Sequence, residues 1–179
     1  MNYLRNFAPW IVLAVFPSTN WQWGTLAALA VTGCLMLQDH RADRGVDLLA
    51  YSTAAFFLVV TPIAFAAPDS DLRRYVGAAS LGWLAVTAWA SIAARKPFTL
   101  VIARRSTPRE IWELPAFRSV NVVITAVWAA GFTATAVALY VVRADGLSST
   151  VAIAVQAAGF VLPAMFTARY PAIVQARHA

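Results

Sequence analysis

The chain has 179 residues, 60% of them hydrophobic and 12% charged, with a mean hydropathy of +0.65. Soluble domains are about 45–50% apolar and about 25% charged, so this composition excludes a water-solvated globule and makes lipid the expected solvent. The balance is basic, net +6 at pH 7, but the arginines stand between apolar runs. No compact basic domain or recognition helix is there to hold a nucleic acid, which we exclude as a partner; the expected partners of these charges are membrane lipids with anionic headgroups.

In chain order, the first apolar segment covers residues 7–16, with Pro9 inside it and Pro17 after it. Ten helical residues cover about 15 Å, half of a hydrocarbon core of about 30 Å. The segment is therefore expected as a half-helix, either re-entrant or a sixth, tilted crossing. Arg5 resembles the charge of a signal peptide, but FPSTNW (residues 16–21) lacks a small-x-small cleavage site. Residues 21–38 are long enough to span, with Trp21 and Trp23 as expected interfacial anchors. The charged loop 39–47 follows. Further spans are expected at 48–67 (with a kink at Pro62), 75–94, 120–142 and 150–168 (interrupted by Pro163). The fold class is thus all-α, an integral membrane helical bundle of five full transmembrane helices plus the N-terminal piece, in a single domain over 1–179. Pairs of small residues four apart, such as Ala78 and Gly82, Ala90 and Ala94, Ala130 and Ala134, and Ala154 and Ala158, are expected to support close helix packing. Copies of the chain are candidate partners for one another.

With five alternating spans, one side collects Arg41, Arg44, Arg95, Lys96, Arg104, Arg105, Arg109, Arg118, Arg169 and Arg177, and the other only Arg73, Arg74 and Arg143. The positive-inside rule places the richer side, with loop 95–119 and the C-terminus, in the cytoplasm. Arg5 joins that side if the first segment crosses.

The chemistry-bearing residues are sparse at membrane depth. All eight acidic residues, and both His40 and His178, fall outside the expected spans. Ionisable groups inside spans mark proton relays and ion-coupled pumps, and an intramembrane metalloprotease needs His and carboxylate ligands; neither class is expected, nor is a cofactor. Ser52, Ser80, Ser91 and Cys34 have no histidine at depth to act as a base, so they read as packing or backbone-bonded groups. Two charged constellations remain. Asp39, Asp43 and Asp47 stand at i, i+4 and i+8, which would align three carboxylates for a divalent ion if the helix continued; the competing reading is a solvated loop whose charges pair internally. In the stretch 95–121, apolar Phe98, Leu100, Val101 and Ile102 precede Arg104, Arg105 and Arg109, the composition of an interfacial segment. Pro97, Pro108 and Pro115 divide it, leaving Glu110–Glu113 as a separate turn. Lys96, Arg104, Arg105, Arg109, Trp112, Asn121 and Trp128 are the candidate binding residues here.

The pattern K-P-F-T at 96–99, P-x-F at 115–117, then Asn121, Trp128 and Phe132, with F-x-P at 7–9, resembles the intracellular septation protein A family of small bacterial inner-membrane proteins. The resemblance covers most of the chain by layout and is carried by residues 96–132. It implies a multi-span protein of the cytoplasmic membrane linked with cell envelope and division, with envelope or division proteins as partners and no settled catalysis. Two other functions stay open. One is a small transporter or channel for a neutral or lipidic solute, lined by Thr61, Thr87, Thr125, Thr133 and Gln156. The other is a lipid-modifying enzyme at the membrane interface using the aspartate row.

Overall fold

A computed structural model describes residues 2–42, 47–105 and 107–176. Among them every regular element is helical: α1 (Asn2–Val15), α2 (Trp21–Arg41), α3 (Leu48–Ala66), α4 (Leu72–Ala93), the short α5 (Phe98–Arg104), α6 (Pro115–Ala144) and α7 (Ser149–Ala176). Single 3-10 turns lie at Ser18–Asn20 and Arg109–Ile111. Four stretches are long and apolar enough to cross a membrane: Leu48–Ala66, Leu72–Ala93, Pro115–Ala144 and Ser149–Val174. The predicted span at 21–38 forms α2, but α2 is not among these four. Its 21 residues suffice in length; Gln22 at one end and Gln38, Asp39, His40 and Arg41 at the other dilute its apolar character.

Prolines set several boundaries. Pro115 opens α6 at its first turn, where its missing N–H would have no partner in any case. Pro97 and Pro108 immediately precede α5 and the second 3-10 turn. Pro9, Pro62, Pro163 and Pro171 lie inside helices. Helix α1 therefore runs through Pro9 and is longer than the expected half-helix; its 14 residues reach about 21 Å.

The chain forms two compact units, Met1–Ser80 and Leu81–Ala179, with the boundary inside α4. In the first, α1 and α2 form an antiparallel hairpin and α3 packs on α2. Direction follows from two contacts: Arg5 at the start of α1 meets Asp39 at the end of α2, and a Cβ placed on Gly24 would lie 2.8 Å from Cβ of Phe16, just past the end of α1. Phe7, Trp10 and Leu13 make the buried face of α1. Trp10 packs at 5.1 Å from Phe56 and 5.0 Å from Phe57 of α3. Trp21, expected at an interface, is instead buried and donates its indole N–H to the Pro68 carbonyl at 2.9 Å. Trp23 is the exposed one of the pair.

In the second unit, α6 and α7 pair tightly and α5 lies on α6. The close approach uses glycine. A Cβ on Gly159 would overlap the Thr135 side chain, and one on Gly131 would lie 2.8 Å from Cγ of Pro163. The alanine pairs Ala130 and Ala134, and Ala154 and Ala158, face outward, so the packing expected of them is done by the two glycines. Among aromatic side chains, Trp128, Phe132 and Phe160 cluster between α6 and α7, with Phe132 and Phe160 rings 5.5 Å apart.

Candidate functional site

Two polar constellations stand out, one in each unit. The first lies where the start of α1, the end of α2 and the start of α3 meet. Asp47 is the N-cap of α3: its Oδ1 accepts from the Ala50 N–H at 2.8 Å, and its Oδ2 from Asn6 Nδ2 at 3.3 Å. A carboxylate suits a helix N-terminus, where unpaired N–H groups carry partial positive charge. Asp39 sits at the opposite kind of end, the C-terminal turn of α2, where the dipole disfavours a negative charge. Arg5 compensates: its Nη1 lies 2.8 Å from Asp39 Oδ1, and its Nη2 reaches the Leu35 carbonyl at 3.4 Å and Gln38 Oε1 at 3.5 Å. Below these charges Trp10 donates to Thr53 Oγ1 at 3.2 Å, and Thr53 donates to the Leu49 carbonyl at 2.7 Å.

These groups border a cavity of about 20 Å³ whose polar lining comes from Asn6, Thr32, Asp39, Asp47 and Thr53. That is room for a single water-sized species. Asp39 and Asp47 are 5% and 6% exposed, which corrects the solvated-loop reading for both. The reason is long-range: α1 covers them and supplies Arg5 and Asn6, more than thirty positions away in sequence. Asp43, the middle of the proposed row, lies outside the described residues, as do Arg44, Arg177 and His178. Among the described residues no three His, Cys, Asp or Glu side chains converge as metal ligands.

The second constellation is the stretch after α4. That helix closes with the Lys96 N–H bonding the Ser91 carbonyl at 2.9 Å, and with Arg95 in the left-handed region at φ 57°. Glycine usually takes this capping position. Ser91 Oγ donates to the Ala88 carbonyl at 2.7 Å and accepts the Phe98 N–H at 3.2 Å, tying the end of α4 to the start of α5. Arg118 of α6 donates to the Arg95 carbonyl at 3.0 Å. Helix α5 buries Phe98, Thr99 and Ile102. Thr99 Oγ1 donates to the Asn121 carbonyl at 3.0 Å and is hydrogen-bonded to Thr125 Oγ1 at 2.7 Å. Part of the apolar side expected in the acyl boundary is thus spent on α6, leaving Val101 exposed.

Beyond α5 the chain folds around Trp112. Its indole N–H donates to the Thr107 carbonyl at 3.0 Å. The guanidinium carbons of Arg104 and Arg109 lie 5.1 Å and 5.8 Å from its ring centroid, within cation–π range. Arg104 and Arg105 are half-buried, while Arg109 and Lys96 are exposed. The structure therefore gathers Arg104, Arg109 and Trp112 from the predicted set. It removes Asn121 and Trp128, each 2% exposed. Asn121 donates to the Phe117 carbonyl at 2.9 Å and Trp128 to Thr167 Oγ1 at 2.9 Å; both are buried in helix packing. Arg5 and Asn6 were not among the sequence candidates. The signal for them was the Asn6, Trp10 and Leu13 spacing, legible once α1 is allowed to begin before Phe7.

No family model, curated protein or solved structure matches this chain.

Proposed function

We propose that this chain is a multi-pass protein of the bacterial cytoplasmic membrane, non-enzymatic, serving cell envelope maintenance or septation through its helix contacts and a basic cytoplasmic face. The observation that carries the non-enzymatic reading is the commitment of its reactive groups to structure. Asp39 is engaged by Arg5, Asp47 caps α3, Ser91 joins α4 to α5, and Ser80 donates to the Gly77 carbonyl. A nucleophile or general base needs its lone pairs available to substrate. The septation link rests on the sequence resemblance over residues 96–132.

In this reading α2 is a fifth crossing beside the four apolar helices, since its 21 residues reach about 31 Å and it packs along α3. The antiparallel α1–α2 hairpin brings Arg5 to the end of α2 that leads into loop 39–47. Arg5 then joins the basic side, which the positive-inside rule makes cytoplasmic. A solute path is less well supported: Thr87, Thr133 and Thr125 engage neighbouring oxygens, the first two those of their own helix, and none of the threonines expected to line it borders the 20 Å³ cavity.

The test is depletion of the protein in its host. Altered septum placement or envelope integrity, restored by the wild-type chain, is the expected result. Normal division and envelope under depletion would overturn the proposal.

A further inference from the structure

We propose that the arginine cluster around Trp112 is a binding site for the phosphate of an anionic phospholipid. The inference rests on reading the segment after α4 as lying at the membrane boundary, and it adds the ligand.

Three observations on the same few residues point to an anion. Two guanidinium groups, from Arg104 and Arg109, share one indole ring. Like charges brought together repel unless a counter-charge lies between them, the more so near a low-dielectric phase. Among the described residues neither forms an ion pair. Glu110 and Glu113 occupy the same turn and are exposed, yet they do not neutralise these two arginines. Thirdly, Arg104 Nε is buried with no hydrogen-bond acceptor, a donor whose burial is costly until an acceptor reaches it. Guanidinium forks match the oxygens of a phosphate group, and the Trp112 ring brings two of them to 5.1 Å and 5.8 Å from one centroid.

The surroundings select a lipid over free phosphate. Val101, Ile111 and Leu114 flank the cluster and are 37%, 38% and 50% exposed. The helices before and after the segment, α4 and α6, are both of membrane-crossing length and apolarity. A cationic centre with exposed apolar side chains close by in sequence fits an amphiphile, with its headgroup on the arginines and its acyl chains beside Val101, Ile111 and Leu114. The half-buried tryptophan is a residue type favoured at that depth.

The experiment is native mass spectrometry of the full-length chain in neutral detergent, with phosphatidylglycerol and phosphatidylcholine of identical acyl chains as probes. The wild type is expected to retain phosphatidylglycerol roughly thirtyfold better, since two arginines at about 1 kcal/mol each near an anionic surface sum to about 2 kcal/mol. R104Q/R109Q should lose most of that preference. R73Q/R74Q, with the same loss of charge elsewhere, should keep it. Helical circular dichroism and a monodisperse elution profile establish that each variant is folded, and Arg104→Lys with Arg109→Lys, which keeps the charges but loses the forks, should fall between. Equal retention of the two lipids by the wild type, or equal losses in the two glutamine pairs, would overturn the proposal. So would displacement of the lipid by millimolar inorganic phosphate, which would make the ligand a free anion. None of these outcomes depends on a division phenotype, so the failure of this site and of the proposed function are separable.

Discussion

The two polar constellations use arginine in opposite ways. In the first unit one guanidinium, half-buried, meets a buried carboxylate at 2.8 Å and also caps the end of α2 through the Leu35 carbonyl. In the second, two guanidiniums meet an aromatic ring, and among the described residues no carboxylate neutralises them. Matched charge at a helix junction fixes structure, because removing either member strands the other. Unmatched charge over an aromatic ring near the surface contributes less, about 0.5–1 kcal/mol, and keeps guanidinium donors for a ligand. Composition alone does not separate these cases, since both are arginines beside apolar runs.

The largest difference is expected for Asp39→Ala. It leaves Arg5 without its carboxylate at a helix junction, and the loss should be about 2 kcal/mol, reduced from the fully buried case because the Arg5 side chain is 27% exposed. Thermal unfolding in detergent should show a lowered midpoint, partly recovered in R5A/D39A. By contrast Arg109→Gln should change stability by no more than about 1 kcal/mol, the size of an exposed cation–π contact. Similar losses in the two variants would erase the distinction drawn above.

Next in size is Gly159→Ala. Its Cβ would overlap Thr135, so α6 and α7 must separate, at a cost of about 1–2 kcal/mol. Thr135→Ala in the same chain should return much of the loss. Gly33→Ala meets nothing within 4 Å and should be neutral or slightly stabilising. A Gly159→Ala protein with an unchanged unfolding midpoint would show that glycine is not what lets these helices approach. The smallest effect is expected for Trp10→Phe, which keeps ring contacts with Phe56 and Phe57 but deletes the bond to Thr53. A loss of about 1 kcal/mol is expected, read from the same unfolding curves; no loss would mean the tryptophan contributes packing alone.

The helices were largely legible from uncharged runs. Expected 48–67 became Leu48–Ala66 and expected 75–94 became Leu72–Ala93. Helix α6 begins earlier than expected because Pro115, read as a break, is a favoured first residue. Helix α7 continues beyond the expected end through Pro163 and Pro171. The sites were less legible. Treating charge between apolar runs as solvated loop missed Asp39 and Asp47, because what buries them is α1, at the far end of the local sequence window. Starting the first segment at Phe7 left Arg5 and Asn6 outside it, whereas α1 begins at Asn2. Around Trp112 the residue types were visible, but their convergence on one ring depends on the turn after Pro108, which spacing alone does not specify. Asn121 and Trp128 look like polar and interfacial residues in sequence, yet the α5–α6 and α6–α7 contacts use them internally.

The account depends most on the arginine-rich segment facing the cytoplasm while the α3–α4 connection faces out. With Cys34 replaced by serine, single cysteines at exposed positions, Glu113→Cys and Asp71→Cys, can be probed on intact spheroplasts with a membrane-impermeant maleimide. The account predicts labelling of Asp71→Cys from outside and of Glu113→Cys only after lysis. Labelling of Glu113→Cys in intact spheroplasts, or of both positions from one side, would contradict it.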